Sequence, residues 1–138
     1  MSSGDALIPP RMTPLSEPFW EGCRQGELRL QHCLDCGHVQ FPPRVLCTNC
    51  RSPRVEWRAA SGRGTVETLT WVHVPLSEAW ASEVPYAVAL VRLEEGPRMM
   101  SNLRGCTPAD MHIGDAVTVQ FEQRGESLFL PQFRRAAD

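Results

Sequence analysis

Cys33-Leu-Asp-Cys36 is followed, after ten intervening residues, by Cys47-Thr-Asn-Cys50. Two Cys-x-x-Cys knuckles supply four thiolates, the donor set of a tetrahedral zinc site with metal–sulfur bonds of about 2.3 Å. The two-residue gap lets both sulfurs of one knuckle face the same ion. Gly37, directly after Cys36, relaxes the turn and lets backbone N–H groups approach sulfur. Arg51 stands in the matching place after Cys50, so the second knuckle must manage without a glycine. Four thiolates leave no open coordination position, which points to a structural Zn2+, one per chain, rather than a catalytic metal. Iron in a rubredoxin-like site is the chemical alternative. A redox dithiol would need only one of the two pairs.

No second cluster of chemical groups emerges from the sequence. Cys23 and Cys106 are left over and read as buried apolar residues. His32 and His38 flank the first knuckle, His73 falls in a strand, and His112 lies near the end of a short helix. None has a Ser or Cys partner spaced for nucleophilic catalysis, and there is no phosphate-binding Gly-x-x-x-x-Gly-Lys loop. No catalytic residue is therefore assigned. Phe19, Trp20 and Trp80 are instead candidates for contact with a partner protein, because large aromatic side chains anchor interfaces.

Composition narrows the partners. The 138-residue chain has a net charge of −2, 7% aromatic residues, and fourteen basic residues that are all arginine. That balance weighs against nucleic acid. No stretch reaches the roughly 20 apolar residues of a spanning helix, and the first dozen residues lack a signal-peptide pattern. A cytoplasmic location is expected, with no membrane contact. In a reducing compartment six cysteines read as metal ligands and spare thiols rather than a disulfide framework.

The elements that must position these residues can be read in order. Residues 1–13 form a loose tail. Residues 16–25 are predicted to be a helix, with Ser16 as N-cap, Pro18 in the first turn and Gly26 at its close. Phe19, Trp20 and Cys23 then share one face. From Glu27 the apolar period becomes two, with Leu28 and Leu30 leading into the first knuckle; Val55, Trp57 and Ala59 alternate on the way out of the second. Ser61-Gly-Arg-Gly64 marks a boundary. The predicted divisions are a tail and helix over 1–26, a zinc ribbon over 27–60 and a barrel domain over 61–138. The last part contains strands at 65–74, 86–93, 98–103, 116–122 and 127–133. A short helix is predicted from Thr107-Pro-Ala-Asp110 to Gly114, between the third and fourth strands. Five strands in that order suit an OB-fold, with another small five-stranded barrel as the alternative. Trp80 sits on the loop 75–85, either anchoring a partner or packing on the barrel rim. The class is mainly β.

Several stretches in a fixed order resemble a known family. They are Pro18-Phe-Trp-Glu-Gly22, the two knuckles, Phe41-Pro-Pro-Arg44, Ser61-Gly-Arg-Gly-Thr-Val66, the run from Tyr86 to Gly96, and Ile113-Gly-Asp-Ala-Val117. The chain is similar to the zinc-ribbon plus OB-fold proteins that accompany thiolase-like acyl-CoA enzymes. Gly26-Glu-Leu-Arg-Leu30, Ala60-Ser-Gly-Arg-Gly-Thr65 and Leu130-Pro-Gln-Phe133 bring it nearest to the accessory subunits of steroid side-chain aldolases. The resemblance implies an N-terminal helix, a rubredoxin-like zinc ribbon and a C-terminal OB-fold. It also implies a non-catalytic accessory subunit bound to a thiolase-like protein of the lipid-transfer or aldolase type. An enoyl-CoA hydratase is a further expected partner, with acyl-CoA at the shared interface. In such complexes the catalytic residues lie on the partner, so none transfers to this chain. Asp115 and Ala116 depart from the family's usual Met and Pro, and Trp80 has no family counterpart. Two other readings are a zinc-ribbon/OB-fold nucleic-acid-binding module and a stand-alone enzyme acting on acyl-CoA.

Overall fold

The computed structural model describes residues 10–136. The part of the predicted tail before Pro10 lies outside them. Helix α1 runs from Glu17 to Arg24, with Pro18 and an acidic residue in its first turn and Arg24 in its last. Ser16 does not cap it as predicted. Its backbone is already helical, and its hydroxyl turns back to the carbonyl of Thr13 at 3.2 Å and the hydroxyl of Thr13 at 3.0 Å. Pro14 starts an extra turn ahead of the helix, so Thr13 takes over the free donor: the Ser16 N–H reaches Thr13 Oγ1 at 3.1 Å. The helix closes as predicted. Gly26 takes φ +80° and donates to Cys23 O at 3.1 Å, while Glu27 N–H reaches Gly22 O at 2.8 Å, a Schellman arrangement.

Three strands then form an antiparallel sheet: β1 (Arg29–Cys33), β2 (Val39–Gln40) and β3 (Val55–Ala59), in the order β2-β1-β3. The remaining five are β4 (Arg63–Val72), β5 (Tyr86–Leu93), β6 (Arg98–Leu103), β7 (Ala116–Arg124) and β8 (Leu128–Arg135). They close into a barrel in the order β4-β5-β6-β8-β7, with β7 returning to β4. Every pair is antiparallel except β6 with β8, which share the single register position Leu103–Phe133. This is the OB-fold arrangement. Gly64 is required where β4 crosses β5, because a Cβ there would lie 2.6 Å from Val91 Cγ1 and 2.7 Å from the carbonyl oxygen of Arg92.

One apolar core joins all three parts. Val66, Val91, Leu93, Met99, Leu103, Val117 and Phe133 fill the barrel, and the same cluster continues through Leu28 and Leu30 to Phe19 and Cys23. Burying this contiguous surface is what ties helix and ribbon to barrel.

The helix predicted from Thr107 to Gly114 is absent. Asp110 Oδ1 does accept the Thr107 N–H at 2.7 Å, the predicted reach-back, but only a single turn forms at Pro108–Asp110. Met111 follows it and is 2% exposed, pressed into the core. The next residues are engaged elsewhere. Gly114 N–H bonds Val66 O at 2.8 Å, and Val66 N–H bonds Asp115 O at 3.0 Å, beside a register slip in β4. With Met111 anchored and Gly114–Asp115 paired to β4, too little chain is left for a second helical turn.

Candidate metal centre and apolar groove

The two knuckles meet at the end of the three-stranded sheet. Their four Sγ atoms all lie within 4.8 Å of one another. Cys33 and Cys50 sulfurs are 3.6 Å apart, and Cys36 and Cys47 sulfurs 3.7 Å. Metal–sulfur bonds of about 2.3 Å place tetrahedral neighbours about 3.8 Å apart, so the cage fits one ion. A disulfide would need about 2.05 Å. Backbone amides turn inward: Asp35 and Cys36 donate to Cys33 Sγ at 3.4 Å each, and Asn49 and Cys50 donate to Cys47 Sγ at 3.3 and 3.5 Å. The second knuckle manages without glycine because Arg51 itself adopts φ +65°, with its N–H on Cys47 O at 2.8 Å, as Gly37 does on Cys33 O at 3.0 Å.

The electrostatics favour thiolate at Cys36 and Cys33. The Asn49 side-chain amide and the His38 backbone N–H draw Cys36 down to about 6. The Cys36 backbone N–H lowers Cys33. The Ser52 backbone N–H also pulls on Cys50, yet burial and the three neighbouring sulfurs push it up to about 12. A dication among the sulfurs would offset that opposition.

Residues that the sequence reading passed over hold this cage. Gln31 and Gln40 are buried and bonded to each other at 2.9 Å, and both reach the segment leading to Cys47. Their strand positions adjoin the first knuckle, the one signal that could have marked them. On the other side, Asp35 accepts from the Ser52 hydroxyl and pairs with Arg54 at 2.7 Å, tying the first knuckle to the exit of the second. The histidines are dispersed. His38 Nε2 lies 3.1 Å from the Thr48 hydroxyl, which also bonds Gln40 Oε1, and His112 lies 3.7 Å from Asp115. His32 Nε2 is buried with no hydrogen-bond partner among the described residues, and His73 is exposed.

The three aromatic candidates come together. Phe19, Trp20 and Trp80 line one apolar groove of about 430 Å³, with Phe41, Pro42 and Met99 among its other walls. Phe19 is only 3% exposed, so it forms part of the groove's foundation instead of a free surface. Its ring meets Trp20 edge-on at 5.0 Å and Phe41 at 5.3 Å. Trp80 is half-buried and packs back on Tyr86 at 4.8 Å, the rim-packing alternative, and it also lines the groove. The groove overlies the seam where β6 and β8 scarcely pair. Side chains bridge that seam: Ser101 Oγ donates to Pro131 O at 2.9 Å, and Gln132 Oε1 accepts from Asn102 N–H at 3.2 Å.

A four-cysteine ribbon continuous in its core with an OB barrel is the architecture of a zinc-ribbon/OB-fold protein. Two known domain families match the chain in the same order. Residues 20–56 match the ChsH2 rubredoxin-like zinc ribbon domain, and residues 57–122 match the ChsH2 C-terminal OB-fold domain. The chain belongs to the DUF35 family. It is 38% identical, over 66% of its length and 68% of the relative's, to a DUF35 domain-containing scaffold protein of Methanothermobacter thermautotrophicus. It is 36% identical to the 3-oxo-4,17-pregnadiene-20-carboxyl-CoA hydratase alpha subunit of Mycobacterium tuberculosis, over 85% of this chain. It spans only 37% of that longer protein. Among solved structures it resembles a chain of the Ltp2-ChsH2(DUF35) aldolase, with a TM-score of 0.84 and 33% identity over 94% of this chain and all of that one.

Proposed function

We propose that the chain is a non-catalytic accessory subunit that binds a thiolase-like acyl-CoA enzyme and supports its activity. Its four cysteines hold one structural zinc ion. The groove is the observation that carries this reading. Trp20 and Trp80 face a largely apolar hollow, in the arrangement that anchors protein interfaces. The partner's surface fills that groove, and acyl-CoA is handled at the shared interface. The likeness to the Ltp2-ChsH2(DUF35) aldolase supports an aldolase-type partner, and the hydratase subunit name supports a second one. Within the chain, residues 1–26 are the N-terminal tail and helix, 27–60 the ribbon and 61–138 the barrel. Zinc, when bound, supplies a cross-link and the positive charge that four thiolates require. Cys33, Cys36, Cys47 and Cys50 would hold it with no position left for substrate. Iron remains the alternative occupant, which metal analysis of the purified chain distinguishes.

Nucleic acid fits less well. Ten of the arginines, among them Arg63, Arg92 and Arg104, are paired with carboxylates of the same chain. Guanidinium groups so engaged offer little to a phosphate backbone. No helix among the described residues is long and apolar enough to cross a membrane. The cytoplasm is the proposed location.

The test is co-expression with a thiolase-like protein from the same cell. A stable complex should form on size-exclusion chromatography, with aldolase or thiolase turnover appearing only in the complex. Trp20→Ala and Trp80→Ala should each weaken it about 30-fold, the loss of a typical hot spot of about 2 kcal/mol. Turnover by the chain alone would overturn the accessory role. A complex indifferent to both substitutions would remove the groove from the interface.

A further inference from the structure

The second knuckle hangs on an unusual tether. Between β2 and Cys47, residues 42–46 make no backbone–backbone hydrogen bond among the described residues. Their main chain is gripped by two carboxamides instead. Gln31 and Gln40 stand opposite each other across β1 and β2 and are 2% and 5% exposed. Gln31 Oε1 accepts the Arg44 N–H at 2.8 Å, and Gln31 Nε2 donates to Arg44 O at 3.0 Å. Gln40 Nε2 donates to Gln31 Oε1 at 2.9 Å and to Leu46 O at 3.2 Å. Gln40 Oε1 accepts both the N–H and the hydroxyl of Thr48, at 2.8 and 3.1 Å. Gln40 thus uses two donors and two acceptor sites, the full capacity of a carboxamide. It holds the residue before Cys47 and the residue after it.

We infer that Gln31 and Gln40 are positioning residues for the metal, a buried clamp that presents Cys47 to the ion. Without the clamp, the cost of ordering the segment falls on metal binding itself. With it, the second knuckle stands in place beforehand. No other side chain type supplies two donors and two acceptors from that length. A carboxylate lacks the donors, and a thioether has no donor and only a weak acceptor. The inference rests on the zinc reading above, and it adds a role for two residues that touch no metal.

The test uses the full chain and reads the metal directly. Gln40→Met keeps the length of the side chain and removes its hydrogen bonds. Chelator competition should show zinc binding weakened about 10- to 100-fold, the usual cost of losing an outer-shell partner. Gln31→Met should act in the same direction, and the double variant should cost far less than the product of the singles, because both belong to one network. Cobalt substitution supplies a spectroscopic check: the parent and both variants should show the same four-thiolate absorption, reached at higher cobalt in the variants. If Gln40→Met fails to fold, Gln31→Met and Thr48→Val carry the test, each with weaker binding expected. Variants that fold and bind zinc within twofold of the parent would overturn the clamp alone. A parent chain that binds neither zinc nor cobalt would overturn the metal reading itself.

Discussion

Asp115 ties the loop before β7 to the end of β8 through one carboxylate. It accepts the His112 backbone N–H at 2.8 Å and faces Arg135 at 3.4 Å. The His112 amide, then the Arg135 charge, hold its carboxyl below the ordinary value of 3.8. A depressed pKa in the folded chain stabilises it above the unfolded value, and that contribution disappears as pH falls through the folded one. Asp115→Asn should therefore melt at lower temperature than the parent at about pH 7, and the gap should close below about pH 4. Comparing the two proteins cancels the acid lability of the metal site. Cys23 is a second test at this scale. It is 1% exposed, and burial pushes its thiol up to about 12. Iodoacetamide should leave it unmodified in the native chain and label it after denaturation, as peptide mass mapping would show. The cysteine knuckles were legible because their chemistry lies in residue type and spacing alone. Gln31 and Gln40 were not. A buried glutamine is recognised by the backbone groups it bonds, and those come from residues 44–48 after folding.

The elements show where local signals prevail and where the fold overrides them. Gly26 ended α1 as its freedom at positive φ requires, and the strand bounds predicted at Tyr86–Leu93 and Arg98–Leu103 coincide with β5 and β6. The β6–β7 connection went the other way. Thr107-Pro-Ala-Asp110 carries a helix-start pattern, yet Met111 is drawn into the core and Gly114 pairs with Val66. Tertiary burial outweighs a capping signal worth about 1 kcal/mol. The segment therefore stabilises the protein through Met111 as a plug. Met111→Ala should cost about 2–5 kcal/mol in urea unfolding, the range for emptying a buried site. A loss well under 1 kcal/mol would mean that the connection is only loosely seated.

At the scale of the whole molecule, helix, ribbon and barrel share one core, and the ribbon stands between the other two in sequence. Phe41, on the connection between the knuckles, touches Phe19 of α1 and helps wall the groove. Metal removal should therefore reach the groove. After chelation the chain should keep its barrel, seen as retained β-sheet circular dichroism, and lose binding to the proposed thiolase-like partner. A metal-free chain that still assembles an active complex would show the ribbon to be dispensable for docking. The sequence by itself determined the cysteine pairs, the mainly β class and the order of the elements, because spacing and periodicity are local properties of the chain, and the family was legible as a resemblance carried by short stretches in fixed order. Only the tertiary structure decided how Phe19, Trp20 and Trp80 relate. They lie up to 61 residues apart, and closing the barrel with its nearly unpaired β6–β8 seam is what sets them around one hollow, with Phe19 in the core beneath it. The same holds for the clamp behind Cys47, since a polar side chain is stable inside a protein only when folding delivers its hydrogen-bond partners.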